Sequence, residues 1–146
     1  MGNSVEVSKT DNRTLVDNLI KQFDMNSDYY IGIFADSDPE EAQKGIFNEY
    51  GTLNAPPRPF LMPTVLANEK FLIQKIESKL KKLENPHMFM NDMANIFLGK
   101  VKHKIDVMKY PVLSPLTIQR KGHGKLLKDS YKMYNALQVR KEDNVK

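Results

Sequence analysis

Asn48-Glu49-Tyr50-Gly51-Thr52, followed by Pro56-Pro57-Arg58-Pro59-Phe60-Leu61-Met62-Pro63, is the stretch that decides how the rest of the chain is read. Four prolines fall within eight residues. Proline fixes φ and removes a backbone donor, so neither a helix interior nor a central strand can run through this segment. The residue before each proline is also driven toward extended geometry. The stretch therefore reads as a stiff, extended arm with an apolar tip at Phe60, Leu61 and Met62. It joins a helix that stops at Gly51 to a long helix that starts near Pro63. A stiff arm has little freedom to lose on docking, which suits a contact with another subunit. On this reading, deleting Asn54 to Met62 leaves a folded monomer that no longer assembles.

Upstream of the arm, Asp38-Pro39-Glu40-Glu41 is a helix start. Asp38 is placed to cap, proline suits the first helical position, and Glu41 would complete a capping box. Ala42, Ile46 and Tyr50 share one face of that helix. Tyr29 to Phe34 is aromatic and β-branched, a strand signal, with Tyr29, Ile31 and Ile33 on one side and Tyr30 and Phe34 on the other. Thr14 to Phe23 has helical spacing at Leu15, Leu19, Ile20 and Phe23. Residues 1–12 are polar and read as a flexible N-terminal arm.

Downstream, Thr64 to Leu83 reads as a helix with a core stripe of Val65, Leu72, Ile76, Leu80 and Leu83, flanked by Leu66 and Ile73. Asn85-Pro86 breaks it. Pro86 to about Met108 reads as a second helix, striped by Phe89, Met93, Ile96, Phe97, Val101, Ile105 and Met108. The short link implies an antiparallel pair. Met88, Met90 and Met93 read as gap-fillers. Tyr110 to Leu127 is a long basic connection in which Ser114 caps a short helical turn, Pro115 to Arg120. Lys128 to Asn135 reads as a brief helix. Ala136 to Lys141 alternates as an edge strand, with Leu137 and Val139 inward, and is expected to pair with Tyr29 to Phe34. The expected fold class is α+β: a small antiparallel sheet packed against long helices, with the arm and the long loop free for oligomer contacts. At 146 residues the chain is expected to form one domain, residues 13–146.

Composition narrows the function classes. There is no cysteine, which removes zinc–thiolate sites, thiol nucleophiles and disulfides together. No apolar run is long enough for a membrane span, and no apolar signal core follows Met1. His87, His103 and His123 fall on different elements with no carboxylate at ligand spacing. No G-x-S-x-G, P-loop or H-E-x-x-H is present. Asp36, Asp38, Glu40 and Glu41 form an acidic cluster of the kind that holds magnesium, but capping and dipole compensation explain all four. No catalytic residue, metal or cofactor is expected.

The net charge of +4 is unevenly spread, at −5 over residues 1–73 and +9 over residues 74–146. Opposite charge on the two sides of a subunit would steer register in a head-to-tail ring, whereas two simply solvated faces would do nothing of the kind. Eighteen of the twenty-two basic residues are lysine, which gives point charges rather than base-reading forks. Contact with DNA phosphate through Lys75, Lys79, Lys82, Arg120, Lys121 or Lys125 would be sequence-blind and weakened by salt.

The order of the pieces resembles the head–tail joining and tail-completion (neck) proteins of tailed bacteriophages. The resemblance is carried by Asn48 to Thr52, by Pro56 to Pro63, by Ser114-Pro115 with Thr117-Ile118 and Arg120-Lys121-Gly122, and by Lys125 to Val139. The chain departs from the pattern at Met62, where arginine is common, and at Ser130, where a turn glycine is usual. The resemblance implies a structural virion protein, assembled in the host cytoplasm, that forms a six-fold or twelve-fold ring at the head–tail junction. It implies the portal or head-completion connector as partner on one side and the tail terminator or tail tube on the other. The genome would pass through with only transient contact. Tyr50, Arg58, Pro59, Phe60, Leu61 and Met62 are then the expected subunit-interface residues, although Phe60 could equally pack beneath its own chain. A sequence-nonspecific nucleic-acid-binding accessory protein is the alternative.

Overall fold

The aromatic and β-branched run at Tyr29 to Ile31 forms β1, Ser27–Gly32, which pairs antiparallel with β2, Gln138–Asp143. The register sets Ile31 opposite Val139 and Tyr30 opposite Arg140. A computed structural model describes residues 27–82 and 85–143. The N-terminal arm expected at 1–12 and the helix expected at Thr14 to Phe23 lie outside the described residues. The fold is α+β, as the sequence pattern predicts: a two-stranded antiparallel sheet among five helices in the described residues.

The strand ends earlier than predicted, so Ile33 and Phe34 belong to the turn into the first helix. That turn is fastened from β2. Arg140 donates from Nη1 to Asp36 Oδ2 at 2.6 Å and from Nη2 to Asp36 Oδ1 at 2.8 Å and Ser37 Oγ at 2.8 Å. The same guanidinium lies 3.9 Å from the centre of the Phe34 ring. A two-pronged fork of this kind is the geometry that arginine offers and lysine does not.

The first helix, α1, is Pro39–Tyr50. Asp38 caps it, accepting the Glu41 amide at 3.1 Å, with Pro39 at the first position. The other half of the expected capping box does not form. The Asp38 amide already donates to Phe34 O at 2.9 Å, so Glu41 has no donor to reach back to. Its buried carboxylate takes the Lys44 ammonium instead, at 2.8 Å, and Glu40 shares that ammonium at 2.7 Å.

The long helices are α2, Met62–Lys81, and α3, Pro86–Val107. The core gathers on α3. Phe97, Val101 and Ile105 pack with Phe60 from the arm, Met133 and Leu137, and Ile31 and Ile33 lean against them. Val101 is 0 % exposed. The stripe predicted for α3 is therefore real, apart from Ile96, which is 40 % exposed. Met93 fills a buried gap as expected, whereas Met88 faces solvent.

Of the stripe predicted for α2, Leu72 packs on the cluster, Ile76 is half-buried and Val65 is exposed, while Leu80 and Leu83 lie outside the described side chains. The two flanking residues, Leu66 and Ile73, are exposed. Twenty residues make a helix about 30 Å long. The sheet packs on α3 and not along α2, which lies against α3, so among the described residues much of the outer side of α2 has nothing over it. Lys100 of α3 reaches across to the Phe71 ring of α2, 4.3 Å from its centre.

The connection after α3 carries α4, Pro115–Lys121, where Ser114 Oγ accepts the Thr117 amide at 3.2 Å. Gly122 ends it in the left-handed conformation at φ 76°. The last helix, α5, is Lys132–Ala136 and starts four residues later than predicted. Leu127 and Tyr131 both have positive φ, which no helix can absorb. Lys128 is used elsewhere: its ammonium pairs with Asp106, which also accepts from the Tyr134 hydroxyl at 3.3 Å. Among the described residues no helix is long and apolar enough to cross a membrane.

Candidate docking surface

The arm is not a free projection; it closes on the end of α1. The Glu49 carboxylate accepts three backbone amides at the start of α2: Phe60 at 2.8 Å, Leu61 at 3.0 Å and Met62 at 2.8 Å. The first amides of a helix have no partner within it, and an anion placed there also meets the positive end of the helix dipole. Glu49 thus caps a helix that begins thirteen residues later. Arg58 N donates to Asn48 O at 2.6 Å, and Thr64 Oγ1 donates to Phe60 O at 2.7 Å.

Gly51 makes the reversal. Its φ is +80°, and a Cβ built there would lie 2.9 Å from Pro57 N and 3.1 Å from Ala55 O. Only glycine fits such a close approach of backbone to backbone. Beyond it Thr52 and Ala55 form an isolated bridge, with Thr52 N to Ala55 O at 2.9 Å. Leu53, at the apex of that turn, is fully exposed.

The expected interface residues fall into different environments. Tyr50 is 75 % exposed and Met62 is also exposed, while Arg58, Pro59 and Leu61 are half-buried. Phe60 is 4 % exposed and belongs to the core cluster. The expected apolar tip at Phe60 to Met62 is therefore corrected: Glu49 pulls those amides inward, and the aromatic ring fills its own domain. The projecting point is Leu53. A reading of the residues alone missed it, although a leucine between Gly51-Thr52 and Asn54, just ahead of two prolines, was a usable signal. Tyr50 and Leu61 do come together, in an apolar groove of about 330 Å³ shared with Tyr30, Phe34 and Ile46.

Arg58 is oriented away from that groove. It donates from Nε to Pro111 O at 3.1 Å and from Nη2 to Val112 O at 3.4 Å, tying the arm to the long connection. The six expected DNA-contact residues form two groups. Lys75, Lys79 and Lys82 lie on or just after α2, with the Lys75 ammonium 5.7 Å from the Phe71 ring. Arg120 and Lys121 sit at the end of α4, where Lys121 Nζ donates to Lys125 O at 3.1 Å.

The acidic cluster has local partners throughout. The Arg140 fork holds the Asp36 carboxyl below the usual carboxylate range. Hydrogen bonding to Lys44 does the same for Glu40 and pushes Lys44 upward. The bond to Lys128 likewise lowers Asp106, and burial raises the Tyr134 hydroxyl. Among the described residues no three His, Asp or Glu side chains are grouped to hold a metal ion. Comparison with protein families, curated proteins and solved structures found no match to this chain.

Proposed function

We propose that this chain is a structural subunit of the head–tail connector of a tailed bacteriophage, whose copies close into a ring between the head and the tail. The portal or head-completion connector would bind one side of the ring and the tail terminator or tail tube the other. The genome would pass through the centre with sequence-blind, transient contact. The reading starts from the order of motifs in the sequence. One observation carries it further: two of the pieces behind the resemblance, Asn48 to Thr52 and Pro56 to Pro63, close on each other through Glu49 and Gly51 and hold Leu53 and Tyr50 out to solvent. A pre-shaped apolar projection is suited to docking, since its ordering cost is met before the partner arrives.

Purified protein examined by light scattering and negative-stain microscopy should give rings. Leu53→Asp combined with Tyr50→Ser should leave the circular dichroism of the subunit unchanged, shift its melting point little and abolish the rings, because both side chains are exposed and neither belongs to the core cluster. A chain that stays monomeric at high concentration and is missing from purified particles would remove the proposal. Tight, salt-dependent DNA binding by that monomer would favour the accessory-protein alternative.

A further inference from the structure

We propose that the cleft between α1, Arg58, α4 and the turn before α5 is a binding site for a phosphate group carrying more than one negative charge. The cleft has a volume of about 320 Å³. Arg58, Arg120, Lys121 and Lys132 all line it. Among the described residues none of the four has a carboxylate within ion-pair distance. Arg58 and Lys121 donate only to neutral carbonyl oxygens, those of Pro111, Val112 and Lys125. The remaining cation in the wall, Lys44, is matched by Glu40 and Glu41. Asp129 is the other acid there, so five cations face three carboxylates and a surplus of two positive charges remains around one cavity. Cations that face a common space repel each other, and an anion between them removes that repulsion.

A second feature marks the same place. Leu127 and Tyr131, with φ of 56° and 59°, are the two non-glycine residues of positive φ among the described residues, and both line the cleft. Bulky side chains pay for this conformation, and such strain collects at ligand sites, where the surroundings hold it in place. The charge surplus decides the class of ligand. A single carboxylate brings one negative charge, whereas a phosphate monoester brings about 1.5 to 2 and three acceptor oxygens. Arg120 offers the planar fork that matches those oxygens, while Arg58, whose Nε and Nη2 already donate to Pro111 O and Val112 O, adds its charge. A free phosphate, a nucleotide, or the 5′-phosphate at a nucleic-acid end would supply this chemistry.

Amide chemical shifts of the full chain should be followed at fixed ionic strength with inorganic phosphate, with a ten-residue oligothymidylate bearing a 5′-phosphate, and with the same oligomer bearing a 5′-hydroxyl. Lys121, Gly122, Tyr131 and Lys132 should shift saturably with phosphate. Arg120→Gln combined with Lys132→Gln, at two exposed positions, should weaken binding by about tenfold or more, and Lys75→Gln with Lys82→Gln should not. If the 5′-phosphorylated oligomer also binds and the hydroxyl form does not, the source is a nucleotide or a strand end; if inorganic phosphate alone binds, it is the free ion. Absence of saturable shifts, equal binding by the double variant, or equally good competition by a glutamate-rich peptide would overturn the proposal. Scoring ring formation on the same variant separates this site from the connector reading, since either can fail without the other.

Discussion

At Glu49 a single carboxylate accepts three amides that belong to a different element. Hydrogen bonds to a charged group are each worth about 1.5–3 kcal/mol, and part of this is kept by an amide oxygen. Glu49→Gln should therefore cost about 1–3 kcal/mol, measured as a lower urea midpoint with an unchanged slope. Gly51→Ala should cost at least about 1–2 kcal/mol, because the left-handed φ is strained for alanine and its Cβ meets Pro57 N at 2.9 Å. A shift in melting temperature of about 2–4 °C per kcal/mol would report either change. The glycine was legible in the sequence as a helix stop. The partner of Glu49 was not, because local spacing says nothing about a contact that forms only once the arm has folded back.

Among the elements, the cap at Asp38-Pro39, the cap at Ser114 and the pairing of the two strands could all be read from local signals, and all are present. Val65, Leu66 and Ile73, apolar yet exposed on α2, show where such reading stops. Periodicity identifies an amphipathic helix, but whether anything covers the apolar side depends on the length and position of other elements. The late start of α5 has a similar origin, since the strain at Leu127 and Tyr131 belongs to the tertiary turn. The fork from β2 to the turn after β1 gives a pH-dependent test. Asp36 titrates lower in the folded state than in the unfolded chain, so its coupling to Arg140 is fully present above about pH 4 and is lost as the pH falls through the folded value. In Arg140→Gln the Asp36 carboxyl should titrate back up toward its ordinary range, followed by carboxyl carbon NMR. The stability gap between this variant and the parent should then narrow on acidification.

Across the whole molecule, the acidic and basic halves do not stay apart. Asp36 of the first half is bound by Arg140 of the second, and Glu49 is used on backbone amides. The lopsided charge along the chain therefore overstates the lopsidedness of its surface. Folding also changes what a deletion would test. Removing Asn54 to Met62 takes Phe60 out of the core and the amides away from Glu49, and deletion of a buried phenylalanine side chain alone costs about 3–5 kcal/mol. Such a deletion should cooperatively unfold the chain or lower its melting point steeply, in contrast to the exposed changes at Leu53 and Tyr50. Calorimetry of the two variants side by side would reveal the difference.

The bridge between Thr52 and Ala55 encloses only Leu53 and Asn54, and the side chains that fix its position lie on either side of it. These two residues behave as an interchangeable bit in a fixed chuck. Peptides of foreign sequence spliced between Thr52 and Ala55 should be displayed without disturbing the scaffold, and selection could retune what the tip recognises while the frame beneath it stays the same.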